Sequence, residues 1–429
     1  MINNKKVDKK KFNLSILFMG LSQLITKNYT KGIFFFLVEV LFLMKIPVII
    51  AGIYGLITLG DKVQVRKGFK VIQGDNSIIL LVNGAMTLLL VIAFLILYYI
   101  NIRDGWFCLN NNKKELKFKD YIKYFYDKYF SQIILLPSYI GITIFIFLPV
   151  LVTFMVAFTN YSMPNHIPPK NLIDWVGIDN FLNILSFGLW KDTFIGLLIW
   201  NIIWAITSTF TIYVGGLLLA LILSRKGQKF VKVFRTIFIL PWAIPQFIAL
   251  LSFKLMFNEL GPINNLLKSL LNGETIKFFL DPTLAKIMLI LINMWIGVPY
   301  FMMLLEGALL NIPSTLYEAA DIDGASRYEQ FTKITLPMLL AQTAPSLILT
   351  FAFNFNNFGA VYFLTEGGPT NPNYQYAGST DILVSWIFKM TTINSQFNMA
   401  AVVSVIIFLF VSSISIWQFR KMKSFKEEL

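Results

Sequence analysis

Three asparagines lie close together near the end of a long apolar stretch of this 429-residue chain, at Asn354, Asn356 and Asn357. An amide without a hydrogen-bonding partner is costly in apolar surroundings, so each side chain needs one. Asn354 and Asn357 are three residues apart and are predicted to share one face of a helix. Two interpretations stay open: the amides bond to neighbouring helices, or they face a cavity and bind hydroxyl groups, which need both donors and acceptors.

A second polar region, residues 312–338, separates two long apolar stretches, and we call it the inter-span segment. Its residues 318–337 read EAADIDGASRYEQFTKITLP, which mixes small side chains with charged ones. Small side chains let another backbone approach closely, and charges fix the register of such a contact. The pattern favours a surface that a separate protein holds, whereas a loop that only connects two spans is usually shorter and less regular.

Local signals in the inter-span segment predict a bent pair of short helices. Thr315 with Glu318, and Ser326 with Glu329, have the spacing of capping boxes, in which each side chain accepts from the other residue's backbone N–H. Gly324 lies between the two boxes and suits the left-handed residue that ends the first helix.

The sequence lacks the residues that most enzyme active sites use. The single cysteine, Cys108, and the single histidine, His166, leave no internal disulfide, no cysteine metal cluster and no histidine-based triad. No GxxxxGK[ST] loop is present, so the chain is not expected to bind ATP. The ionisable residues within apolar stretches are scattered rather than paired: Glu39, Lys45, Lys254, Lys286 and Glu306. We therefore predict a protein that is not an enzyme and holds no metal or cofactor.

The composition predicts an all-α polytopic membrane protein. Hydrophobic residues make up 56% of the chain and charged residues 14%, and the mean hydropathy is +0.66. Eight apolar stretches are long enough to cross a bilayer core of roughly 30 Å. They cover about 34–58, 77–100, 132–158, 193–222, 234–257, 284–311, 339–358 and 397–418.

The net charge of +14 reflects orientation in a membrane rather than nucleic-acid binding. Lys and Arg concentrate in the segments that would face the cytoplasm if both termini do, as the positive-inside rule requires of a plasma-membrane protein. The basic loop 59–76 departs from this pattern. No cleavable signal peptide is evident, and the short apolar stretch 14–25 is predicted to lie along the inner surface, bound to anionic lipid.

We divide the chain into an N-terminal accessory region, residues 1–131, with two spans, and a six-span core, residues 132–429. Prolines interrupt two of the core spans, at Pro241, Pro245 and Pro299. Proline kinks a helix, so these positions favour a cavity or a hinge.

The inter-span segment resembles the cytoplasmic signature of binding-protein-dependent ABC importer permeases, which reads Glu-Ala-Ala, then Gly six positions after the Glu, then Ile-x-Leu-Pro. The resemblance extends from about residue 132 to the C-terminus. It is closest to the larger, eight-span subunit of maltose/maltodextrin importers. Four further matches support it: FTNY at 158–161, LPWAIPQF at 240–247, NMWIGVPY at 293–300 and NFNNF at 354–358.

This resemblance implies a six-helix type I importer core and two functional sites. In the family the segment forms coupling helices seated in a groove of the ATPase, which implies an ATPase contact at Glu318, Ala319, Ala320, Asp323 and Gly324. The matching positions of the maltose permease line its substrate site, which implies sugar contacts at Trp242, Gln246, Gly297, Tyr300, Thr350, Asn354 and Asn357. Aromatic faces and amides suit a pyranose ring and its hydroxyls, although Trp242 also fits a residue of the interfacial aromatic belt.

The implied function is import of maltose- or maltodextrin-type oligosaccharides. The implied partners are a second permease subunit, two ATP-binding subunits and an extracytoplasmic sugar-binding protein. Two departures from the enterobacterial maltose permease leave the glycan open: Trp242 and Gln246 replace smaller or different residues, and the outer loop 159–192 lacks a large extra domain. Galacto-oligosaccharides therefore remain an alternative substrate. An ion-coupled secondary sugar carrier and a membrane glycosyltransferase are less favoured, because no paired carboxylates are found.

Overall fold

The computed structural model describes residues 16–67, 69–111, 118–167, 171–186, 188–224, 230–271 and 274–421. Regular structure within these residues is helical apart from one two-stranded hairpin, so the predicted all-α membrane fold is confirmed. The basic residues of the N-terminus, before residue 16, lie outside the described part of the chain. The chain divides into two compact units, Met1–Gly177 and Ile178–Leu429.

The first unit contains six helices and the hairpin among its described residues. In chain order they are α1 Leu21–Ile25, α2 Tyr29–Met44, α3 Ile46–Thr58, β1 Val65–Lys67, β2 Lys70–Ile72, α4 Ser77–Asn111, α5 Phe118–Ile142, a π-helical turn Thr143–Phe147 and α6 Leu148–Val156. The two strands are antiparallel, and Val65 pairs with Ile72. This unit includes α5 and α6, which the sequence prediction mostly assigned to the core. The functional division at residue 131 stays a prediction.

Residues 16–25, predicted to lie along the inner membrane surface, are attached to the C-terminal part of α4. The Gly20 backbone N–H donates to Asn101 Oδ1 at 3.0 Å, and Gln23 Nε2 donates to the Asn101 carbonyl at 3.2 Å. An ion pair of 2.6 Å between Lys31 and Asp104 holds the start of α2 to the same part of α4. The position of these residues relative to lipid stays a prediction.

The second unit consists of helices and contains both candidate sites. Its described elements are α7 Asp179–Ser186, α8 Gly188–Leu223, α9 Val231–Ala243, α10 Gln246–Met256, α11 Pro262–Leu271, α12 Pro282–Leu310, α13 Ser314–Ile322, α14 Arg327–Gln330, a π-helical turn Phe331–Thr335, α15 Leu336–Phe355, α16 Phe358–Thr365, α17 Leu383–Thr392 and α18 Phe397–Lys421.

Five continuous helices in the described part of the chain are long and apolar enough to cross a membrane. They are Ser77–Leu109, Tyr126–Val156, Gly188–Leu223, Pro282–Leu310 and Arg327–Phe355. Two bent pairs raise this number to seven if each pair is one span: α2 with α3 at 54°, and α9 with α10 at 93°. Helix α18 lies where the eighth span is predicted, and its apolar described part is shorter, Phe397–Ser413. The chain is a multi-pass membrane protein.

The core of the second unit is built on the packing of α8 against α12. One buried cluster includes Trp200, Trp204 and Leu289, and another includes Ile212 and Phe301. Membrane helices associate through close van der Waals packing, and these aromatic and branched side chains interlock between the two helices. On α12 the two clusters leave a stretch between them, residues 293–300, in the middle of the helix. That stretch faces the candidate site.

Only one of the predicted proline interruptions breaks a span. Pro245 is the N-cap of α10, and Ile244 before it is extended, so the chain turns by 93° between α9 and α10. Pro241 lies within the last turn of α9. The predicted interruption at Pro299 is wrong, because α12 runs unbroken from Pro282 to Leu310. Pro299 is itself one of the buried residues of that helix.

Candidate functional site

A cavity of about 530 Å³ opens beside the break between α9 and α10. It is lined from four directions: by α8, by the α9–α10 break, by the middle of α12 and by α15. Its volume is in the range of pockets that hold small molecules. None of its lining residues, all of them in the described part of the chain, carries a formal charge. The cavity therefore suits a neutral ligand.

Six of the seven residues predicted to bind sugar line this cavity. They are Trp242, Gln246, Gly297, Tyr300, Thr350 and Asn354. The sequence separates them by more than a hundred positions, and the break at Pro245 together with the packing of α12 and α15 brings them to one place.

The break determines how the aromatic and amide walls are presented. Trp242 ends α9 and Gln246 begins α10, so the 93° turn puts both residues on the same cavity. The Trp242 side chain is 56% exposed, which leaves its face free for a flat apolar group. Tyr300 on α12 is 38% exposed, and its ring packs edge-on against Phe301 at 5.2 Å. The two aromatic rings thus belong to different walls of one opening.

Gly297 and Thr350 have local roles that limit what they can offer a ligand. A Cβ on Gly297 would lie 2.6 Å from the Ile212 side chain, so glycine permits the close approach of α12 to α8. The Thr350 hydroxyl donates to the Ser346 carbonyl at 2.8 Å within its own helix. The Thr350 oxygen is therefore available to a ligand mainly as an acceptor.

Buried amides form the polar base of the cavity. Asn293 Nδ2 donates to Asn354 Oδ1 at 3.1 Å, and Asn354 Nδ2 donates to Thr209 Oγ1 at 3.1 Å. Asn357 Nδ2 donates to Asn293 Oδ1 at 3.3 Å. These four residues, which we call the amide relay, join α8, α12, the end of α15 and the start of α16. A buried polar network of this kind gives its side chains one defined arrangement.

The arrangement of the asparagines in the amide relay differs from the predicted one. Helix α15 ends at Phe355, and Asn357 is the N-cap of α16, where its Oδ1 accepts from the Ala360 N–H at 3.1 Å. Asn354 and Asn357 therefore do not share a helix face, and they are connected through Asn293 instead. Asn357 is 4% exposed and does not line the cavity.

Asn293 is the functional candidate that sequence reasoning missed. It lines the cavity, is 3% exposed and bonds to both predicted asparagines. An available signal was a lone amide in the middle of an apolar span, which is costly unless a partner is near. Asn293 and Asn354 each have one further N–H and acceptor capacity beyond these bonds.

The inter-span segment forms the predicted bent pair of helices, α13 and α14. Gly324 has φ +74°, the left-handed conformation expected where the first helix ends. The Ser326–Glu329 capping box is present, with Ser326 N–H to Glu329 Oε2 at 3.0 Å and Glu329 N–H to Ser326 Oγ at 3.3 Å. The second helix then continues through a π-helical turn into α15.

The other predicted capping box is wrong. Helix α13 begins at Ser314 with Pro313 as its N-cap, and no side chain caps it. Thr315 thus lies within the first turn instead of before it, because the helix already begins at Ser314. Glu318 is therefore not used as a capping group.

The bend between α13 and α14 is held by Gln330, which sequence reasoning also missed. This side chain is 3% exposed, and its Nε2 donates to Asp321 Oδ1 at 2.6 Å and to the Ala325 carbonyl at 3.3 Å. Arg327 Nη1 donates to Gln330 Oε1 at 2.9 Å. The Tyr317 hydroxyl shares a 2.8 Å hydrogen bond with Thr335 and joins the same two arms.

The residues predicted to contact an ATPase lie together on the outside of this bend. Glu318, Ala319, Asp323 and Gly324 are exposed, and Ala320 is half-buried. Within the described residues, the Glu318 carboxylate has no hydrogen-bond or ion-pair partner. The bend is thus held from inside by Gln330, while its outer face keeps small residues and an unpaired carboxylate.

These features define a membrane-spanning transport subunit with an uncharged cavity and an exposed bend between α13 and α14, which we call the elbow. The chain belongs to the family described as the binding-protein-dependent transport system inner membrane component, whose pattern matches residues 212–424. The resemblance predicted from the sequence is thereby confirmed. The chain is 41% identical to the maltodextrin transport system permease protein MalC of Streptococcus pneumoniae, across 100% of this chain and 99% of that protein.

Two further comparisons bear on substrate and fold. The galactooligosaccharides transport system permease protein GanP of Bacillus subtilis is 37% identical, across 95% of this chain and 96% of its own. A bacterial ABC transporter involved in the import of the acidic polysaccharide alginate has a similar fold, with a TM-score of 0.55 and 20% identity over 70% of this chain and 96% of that chain. At that identity the likeness concerns the fold alone.

Proposed function

We propose that the chain is the translocating membrane subunit of an ABC importer for maltodextrin-type oligosaccharides. The observation that carries the proposal is the uncharged cavity, which combines two exposed aromatic faces with amide and hydroxyl groups. Pyranose rings present flat apolar faces and many hydroxyls, so such a lining matches them better than it matches an ion. The similarity to MalC over the whole chain supports the maltodextrin class.

Within this proposal the cavity residues have distinct roles. Trp242 and Tyr300 stack on sugar rings, and Gln246 and Asn354 exchange hydrogen bonds with hydroxyls. Asn293 completes the polar base, and Thr350 accepts one hydrogen bond. Asn357 acts indirectly, since it caps α16 and orients Asn293.

The inter-span segment is proposed to be the surface that an ATP-binding subunit holds. Its outer face offers the small side chains and the unpaired Glu318 carboxylate that a complementary groove needs, and its bend is held rigid by Gln330. The partners are a second permease subunit, two ATP-binding subunits and an extracytoplasmic sugar-binding protein. Both termini and this segment are proposed to face the cytoplasm, as the distribution of Lys and Arg indicates.

The proposal is tested with the assembled complex in proteoliposomes. We expect ATP-dependent uptake of maltotriose, and Trp242→Ala is expected to raise the half-saturating sugar concentration about tenfold, since an aromatic face is lost. Phe234→Ala is the matched control, because Phe234 is a similarly exposed aromatic residue of α9 that does not line the cavity. Equal effects of the two substitutions would contradict a sugar site at Trp242.

Galacto-oligosaccharides are the second candidate substrate, favoured by the similarity to GanP. Competition between maltotriose and a galactotriose in the same vesicles separates the two. Uptake that persists without ATP and follows an imposed ion gradient would overturn the importer proposal in favour of a secondary carrier.

A further inference from the structure

Helix α9 carries the Trp242 wall of the cavity and is loosely attached to the rest of its unit. None of its residues is buried, and it packs mainly along α12, with fewer contacts to α8. Because the chain turns by 93° at Pro245, α10 does not continue the direction of α9. A specific contact is therefore needed to fix the position of α9 and of Trp242 at its end.

An ion pair between α9 and α12 provides that contact. Arg235 Nε lies 3.0 Å from Glu306 Oε2, and Arg235 Nη2 donates to Glu306 Oε1 at 3.2 Å. The guanidinium and the carboxylate thus meet at two points, which fixes orientation as well as distance. The Glu306 side chain is only 12% exposed and lies within a span, where an unpaired charge would be costly.

The pair lies between the cavity and the inter-span segment. Arg235 precedes Trp242 by seven residues on α9, about two helical turns. Glu306 follows Tyr300 by six residues on α12 and precedes the start of α13, at Ser314, by eight. One stretch of α12 therefore carries a cavity residue, the ion pair and the connection to the elbow. Along the chain, Glu306 stands between Tyr300 and the start of α13.

We propose that Arg235 and Glu306 are positioning residues that transmit movement of the inter-span segment to the Trp242 wall. While the pair holds, α9 moves with α12 and the cavity changes shape with each ATP cycle. Without the pair, α12 still moves but α9 follows loosely. This inference rests on the proposed function and adds to it a route between its two sites.

The test compares sugar transported with ATP hydrolysed, in the complete complex reconstituted in vesicles. The principal variant is Arg235→Gln/Glu306→Gln, which removes both charges together and so leaves no unpaired charge in the membrane. We expect its ratio of maltotriose transported to ATP hydrolysed to fall about tenfold, within the usual range of couplings between sites. The exchange variant Arg235→Glu/Glu306→Arg, which can reform the pair, is expected to recover most of the ratio.

A matched control comes from a second ion pair of the same unit. Lys254→Gln breaks the 2.6 Å pair with Glu366, which does not lie between the elbow and the cavity. We expect the control to keep the parent ratio. An unchanged ratio in the assembled double-Gln complex would overturn the inference, as would an equal fall in the control. Failure of the parent complex itself to transport sugar with ATP would instead overturn the proposed function.

Discussion

The cavity and the inter-span segment differ in whether their polar side chains have hydrogen-bonding partners within the chain. In the amide relay the side chains are buried and bond to one another across four helices. In the inter-span segment one buried glutamine holds the bend, while the outer carboxylate of Glu318 is left without a partner among the described residues. The difference separates side chains that are fixed by internal hydrogen bonds from an exposed carboxylate that stays available, as the proposed docking surface requires.

The largest effect is expected at the outer face of the elbow. Glu318→Lys reverses a charge that nothing within the described chain compensates, so sugar-stimulated ATP hydrolysis should fall by about a hundredfold in complexes that assemble normally. The measurement is ATPase activity with and without sugar and binding protein. Asp127→Lys reverses another exposed carboxylate outside the segment and serves as the control. Unaltered stimulation in the Glu318→Lys complex would remove this residue from the docking surface.

A smaller effect is expected when the bend itself is loosened. Gln330→Ala deletes the hydrogen bonds that this buried side chain makes to Asp321 and Ala325, each worth about 0.5–1.5 kcal/mol. We expect coupling to fall about tenfold, with faster hydrogen exchange of the α13 amides. Thr332→Ala removes a hydroxyl that bonds only to its own helix backbone and should change neither quantity. Full coupling with a mobile α13 would show that the bend need not be rigid.

Substitutions of Asn357 sharpen the distinction between cavity contact and positioning. Asn357→Ser keeps a hydroxyl oxygen that can cap α16 but is too short to donate to Asn293, whereas Asn357→Ala loses both. We expect thermal stability to fall by about 1 kcal/mol more for alanine than for serine, and uptake to fall a few-fold in both. Relative rates for maltose, maltotriose and longer glucans should stay as in the parent. A changed preference among them would mean that Asn357 touches the sugar.

The smallest effect is expected at Thr350. Its hydroxyl donates within α15, so a sugar can gain only one accepted hydrogen bond there. Thr350→Val should raise the half-saturating sugar concentration about threefold, and Thr350→Ser should leave it nearly unchanged. Uptake titrations of the two variants against the parent make the comparison. Equal shifts for serine and valine would point to packing rather than hydrogen bonding.

Local sequence signals predicted the structure of the inter-span segment correctly where no neighbouring residue favoured a different helix start. The Ser326–Glu329 box and the left-handed Gly324 both formed, since each depends on only a few neighbouring residues. The Thr315–Glu318 box did not form because the helix already begins at Ser314, two residues earlier than the box requires. Gln330 was missed for a different reason: its partners come from the other arm of the bend, and a pattern of neighbouring residues does not reveal them.

The sequence by itself determined the membrane class, the places of the spans, the elbow between α12 and α15 and, through family resemblance, which residues surround the cavity. Hydropathy, caps and motif spacing are local properties, and each is read from a short stretch of chain. Tertiary structure alone decided that Asn357 caps α16 and does not line the cavity, that Asn293 joins the asparagines, and that Arg235 meets Glu306. Those outcomes depend on which helices pack together, and a buried polar group finds its partner only once that packing exists.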